Sequence, residues 1–138
     1  MADDVSINKA ATLERCVARV RDEYAGNEAN LFSDQTRQDA IILNLQRACE
    51  AAIDLAMHRV RRHRLGVPQE SRDAFSMLAE AGRLDPVLAG RMAKMVGFRN
   101  VAVHDYRSLN LGIVKSIVTE RLDDFLALAR WALQTEGT

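Results

Sequence analysis

The chain is poor in the residues that build β-sandwiches, barrels and disulfide scaffolds. Its 138 residues hold two prolines, seven glycines, two cysteines, one tryptophan, two tyrosines and four phenylalanines. So few turn formers and aromatics argue against a sheet architecture. Cys16 and Cys49 are far apart and match no metal-ligand spacing or disulfide framework, so both read as reduced thiols in a helical core. Net charge is lacking as well, with 19 basic residues against 19 acidic ones. That balance excludes a protein that coats nucleic acid through bulk electrostatics and leaves room only for a local basic patch. No apolar run approaches the length of a membrane span, and the opening "MADDVSINKA" carries acids where a signal peptide carries basic residues. The expectation is a cytoplasmic protein without membrane contact.

What the sequence does have is helical periodicity. The length suits one domain, residues 1–138, large enough to bury a core without metal or disulfide. A first helix fits about residues 5–24, with Ile7, Leu13, Val17 and Val20 on one side, and "AGNEAN" ends it. A connector near residues 31–34 precedes a long helix over about 36–64, on which Ile41, Leu45, Ala48, Cys49, Ala52 and Ala56 form one stripe. "LGVPQ" stops it. Ser71 is the expected cap of a short third helix that turns Phe75, Leu78 and Ala79 inward and ends at Gly82. Asp85 and Pro86 open a fourth, and a fifth spans about 111–133, with Ile113, Ile117, Leu122, Phe125, Leu126 and Ala129 as its stripe. The fold class is therefore all-α, an antiparallel bundle of about five helices joined by short connections.

The fourth helix breaks its own pattern. At 100° per residue, Leu88, Met92, Met95, Val96 and Val103 share a face, and Arg99 lies in the middle of it. A guanidinium in an apolar stripe is costly unless it is paired or wet. Either it forms a buried ion pair with Glu50 or Asp54, which lie one turn apart on the long helix, or it belongs to a site. The opposite face collects Gly90, Ala93, Gly97, Asn100 and His104. Small residues admit a close neighbour, and a second copy of the chain is the natural one, which makes a homodimer the expectation. Arg99 and His104 are about 140° apart on one helix, so a twofold dimer is what brings such pairs into a shared cleft.

These residues also carry a resemblance. Arg99, "NVAV", His104, Asp105 and Tyr106 reproduce the Arg-x4-His-x-Tyr pattern of the HepT toxins within the HEPN superfamily. The stretches "ILNLQRACEAAIDLAMH", "LGVPQESRDAFSMLAEAG" and "MVGFRNVAVHDY" resemble that family too, so the likeness covers most of the chain. It implies a HEPN bundle acting as a dimer, and the toxin half of a type VII-like toxin–antitoxin pair. The activity implied is metal-independent endonucleolytic cleavage of RNA. The implied partner is a minimal nucleotidyltransferase (MNT) antitoxin that silences the toxin by attaching AMP to the motif tyrosine, here Tyr106.

The chemistry suits the residues. Metal-free RNA cleavage uses the ribose 2′-hydroxyl as nucleophile; the imidazole of His104 is matched to the proton transfers and the guanidinium of Arg99 to the charge on the phosphate. Asn100, one turn before His104, is expected to orient the imidazole or touch the phosphate. Glu50 and Asp54 are the expected supporting carboxylates behind Arg99. His58 and His63 are five apart, the wrong spacing for a helical metal pair, so no metal and no cofactor are expected. "HRVRRHR" at residues 58–64 reads first as a solvated helix end, with an RNA-backbone contact as the other reading. The competing function is a non-catalytic helical module that docks or regulates a nucleotidyltransferase.

Overall fold

A computed structural model of the chain describes residues 2–134. Among them there is no strand. Helix α1 (Asp4–Tyr24) is followed by a single-turn α2 (Ala29–Phe32) in the segment expected to be a bare connector. The long α3 (Gln35–Arg62), α4 (Ser71–Glu80) and α5 (Pro86–His104) come next. The last rod is α6 (Leu111–Ser116) joined to α7 (Leu122–Leu133) by a π-helical turn, Ile117–Arg121.

The caps explain where the helices start. Asp3 accepts from the Ser6 amide at 2.8 Å, and Asp34 from that of Arg37 at 3.1 Å. Ser71 is the first residue inside α4 rather than its cap. Glu70 takes that place, in a reciprocal capping box with Asp73. Gly82, at φ +72°, supplies the left-handed turn after α4.

α3 is the central member, packed against α1, α4 and α5, with α7 closing over α1. The predicted α3 stripe is buried throughout. Of the other predicted inward positions, Ala79, Leu88 and Leu126 are half-buried and three lie at the surface. Ile7, Val103 and Ile113 are exposed, and their neighbours Ser6, Ala102 and Val114 point inward instead. Val114 stands in i, i+4 spacing with Val118 and Leu122, which fixes that face of the last rod.

The basic run closing α3 is only partly a solvated end. Arg59 is buried, donating from Nε to Ser6 Oγ at 3.1 Å and from Nη2 to the Ala132 carbonyl at 2.9 Å, with its guanidinium 4.6 Å from the Trp131 ring centroid. Its charge is offset by hydrogen bonds and a π-face, and it ties α1, α3 and α7 together. His58 Nε2 lies 3.0 Å from Asp3, and Arg62 3.7 Å from the same carboxylate.

Candidate functional site

Helix α5 turns Ala89, Met92, Met95, Val96, Phe98 and Ala102 into the core. Arg99 points the same way but lies near the end of the bundle, where it is half-buried. Its Nη1 donates to Asn100 Oδ1 at 3.0 Å, and its Nε is buried without a partner. The expected ion pair with α3 is not formed. Asp54 is 3.1 Å from Lys9, and Glu50 accepts from Gln46 at 3.1 Å, so both carboxylates are engaged elsewhere. Asp54 nevertheless shares with Arg99 an open cavity of about 500 Å³, lined also by Lys9, His58, Arg61 and Ser71. Cations outnumber carboxylates there, which makes the cavity fit for an anion.

Cys49 lies beneath Arg99 on α3. Burial pushes its thiol up to about 12, while the charge of Arg99 pulls the other way. The arginine therefore makes its electrostatic mark on the core without being neutralised by it.

His104 is the last residue of α5 and is exposed, with no side-chain hydrogen bond or ion pair among the described residues. The helix ends because Asp105 departs to φ −152°, ψ 66°, while its amide still reaches the Val101 carbonyl at 2.8 Å. Tyr106 consequently does not continue the helical wheel back towards Arg99. It opens a single 3₁₀ turn, Tyr106–Ser108, locked by Ser108 Oγ donating to Asp105 and followed by Asn110, which caps α6. Asn100 is committed to Arg99 rather than to the imidazole.

The 3₁₀ turn aims Tyr106 at the start of α3. The residue is 40 % exposed. Its hydroxyl donates to Asp39 Oδ1 at 2.5 Å, and the same oxygen accepts from Gln35 Nε2 at 2.8 Å. Burial, the hydrogen bond to Asp39 and the charge of that carboxylate raise the phenol to about 12. Asp39 is the residue that sequence reasoning missed. It lies 67 positions from Tyr106 and belongs to no local motif, so only the tertiary fold brings the two together.

Among the described residues, the outer face of α5 has no partner. Gly90 is exposed and Ala93 and Gly97 are half-buried, and a Cβ built on either glycine meets nothing within 4 Å. Val101 is exposed beside them. Along one flank of that face an apolar cavity of about 490 Å³ opens between α5 and the last rod, walled by Met95, Phe98, Val101, Leu109, Ile113 and Ile117. At its edge Arg91 lies 3.3 Å from the buried Asp124.

Comparison with known proteins adds four findings. Residues 13–130 match the family described as "Ribonuclease HepT-like". The chain is 49 % identical over 123 residues to the mRNA nuclease HepT of Shewanella oneidensis, an alignment covering 89 % of this chain and 92 % of that one. It superposes with a TM-score of 0.88 and 46 % identity on a chain from the solved structure of the tri-AMPylated Shewanella oneidensis HEPN toxin in complex with MNT antitoxin, covering 94 % of this chain and 96 % of the other. A crystal structure of a toxin–antitoxin with AMP-PNP gives 0.89 at 46 % identity, covering 94 % and 97 %.

Proposed function

The chain belongs to the ribonuclease HepT-like family, and on that premise we propose that Arg99 and His104 are its RNA-cleaving pair and Tyr106 its site of AMP attachment. It is a nuclease of the toxin kind, with an MNT-type nucleotidyltransferase as its antitoxin. The observation that carries the assignment of the pair is Arg99, a charged side chain on the apolar face of α5 with no carboxylate in ion-pair contact among the described residues and a buried, unpartnered Nε. A guanidinium kept in that state is ready for an anion that the folded chain does not itself provide.

Cleavage proceeds by attack of the ribose 2′-oxygen on the adjacent phosphorus, with loss of the 5′-oxygen of the next nucleotide. His104 takes the 2′-hydroxyl proton, a protonated imidazole returns one to the leaving oxygen, and Arg99 holds the phosphate as negative charge builds on it. The exposed face of α5, with Gly90, Ala93 and Gly97, packs on a second copy about a twofold axis. That arrangement supplies His104 of the partner subunit as the second imidazole. Asn100 steadies the Arg99 fork, and the nearby Asp54 and Lys9 shape the field around it; Glu50 contributes only at longer range. The chain's own groups carry the reaction without a cofactor.

AMP on Tyr106 adds a nucleotide and a negative phosphodiester at the exit of α5, blocking RNA by bulk and by repulsion. The test is incubation of purified protein with RNA in the presence of chelator. The parent should leave 2′,3′-cyclic phosphate and 5′-hydroxyl ends, and His104→Ala should lose about a hundredfold or more in rate while staying a folded dimer. Equal cleavage by the variant overturns the assignment of the pair.

A further inference from the structure

Transfer of AMP to a tyrosine requires the phenol to lose its proton as its oxygen attacks phosphorus. Tyr106 is a poor nucleophile by itself, because its surroundings favour the neutral form. Yet the oxygen that must attack already donates to a carboxylate, at 2.5 Å. That carboxylate is steadied from its own helix by Gln35 at 2.8 Å, and Gln35 in turn lies within 3.2 Å of Gln38. Both Tyr106 and Asp39 are exposed, so a nucleotide held by a partner protein reaches the phenol from solvent while the hydrogen bond persists.

We propose that Asp39 is a catalytic residue for the modification of this chain, the general base that takes the Tyr106 proton during AMP transfer. The inference rests on Tyr106 being the acceptor. The step balances with ATP as donor and the nucleotidyltransferase as the protein that presents it. Tyr106 Oη forms a bond to the α-phosphorus, the bond from that phosphorus to the oxygen bridging to the β-phosphate breaks, pyrophosphate leaves, and the Oη proton passes to Asp39 and then to water. In this arrangement the target brings its own base, and the partner has only to hold and polarise the nucleotide.

The experiment follows intact mass over time for the full-length protein with ATP and its nucleotidyltransferase, the toxin concentration being varied. Asp39→Asn keeps an oxygen that accepts from the phenol but has no carboxylate to protonate. It should lower the maximal labelling rate by about a hundredfold or more with little change in the toxin concentration needed for half-maximal rate. Asp39→Glu should restore part of that rate, and both variants should cleave RNA as the parent does. Labelling of Asp39→Asn at the parental rate overturns the proposal, and so does a defect confined to the half-maximal concentration, which would make Asp39 a docking residue. Tyr106→Phe labelled like the parent removes the premise itself, an outcome separate from either of these.

Discussion

At the scale of single residues, the site is defined by what its groups are bonded to and by what they are not. Arg99 has an amide for a neighbour where a carboxylate would have neutralised it, whereas Tyr106 has a carboxylate where water would have left it ordinary. The second contact has a direct readout. A phenol raised to about 12 stays protonated when a free tyrosine is already ionising near 10. The unfolded chain therefore loses this proton before the folded one does, and the stabilisation it brings is complete below pH 10 and disappears as pH rises through 12. Difference titration of the parent against Tyr106→Phe at the phenolate absorbance should place Tyr106 near the upper value, and Asp39→Ala should bring it down towards 10. For Arg99, lysine keeps charge but not the planar fork, so Arg99→Lys should retain the fold and lose most RNA cleavage, measured as initial rate at saturating RNA. The helical wheel picked out Arg99 and His104, and the motif resemblance picked out Tyr106. The groups around Arg99 and Tyr106 lay beyond the reach of both, because Asp39, Cys49 and Lys9 come from elements remote in the chain.

At the scale of elements, helix starts and ends were legible wherever a local rule decides them. Asp34, Pro86 and the Gly82 turn act as their types predict. The errors fall where tertiary contacts overrule the wheel. Ile7 is exposed because Ser6 is drawn inward by Asp3 and Arg59, a polar cluster that no hydrophobicity pattern reveals. Arg59 was read as part of a solvated end for the same reason. Asp3 sits at the junction of this cluster, capping α1 and facing His58 and Arg62 of α3. Asp3→Ala should cost about 1 kcal/mol through the cap, seen as a fall of several degrees in Tm by circular dichroism. Arg59→Ala should cost more, about 3 kcal/mol, since it leaves Ser6 and the Ala132 carbonyl without their donor inside the core.

At the scale of the whole molecule, the bundle buries its hydrophobic residues around α3 and leaves the small-residue face of α5 bare. Gly97→Phe should therefore keep the helical content of the parent. It should also shift the sedimentation coefficient from dimer to monomer and abolish RNA cleavage with it. An active, monomeric parent at micromolar concentration would contradict the twofold arrangement. The fold class was legible because helical periodicity extends along most of the chain. The proposed assembly is legible only as a face left without a partner among the described residues.

The two thiols lead to a different consequence. Cys16 and Cys49 are buried in the core, and burial raises both above the ordinary thiol range. Cys16 borders an open surface cavity, whereas Cys49 offers no accessible thiolate, so peroxide and alkylating reagents cannot attack it while the fold is closed. Each reaction at the Cys49 sulfur therefore counts an opening of the bundle, and the chain carries its own clock for breathing motions. Under native conditions the labelling rate of Cys49 reports how often the floor beneath Arg99 comes apart, with no dye, tag or engineered probe.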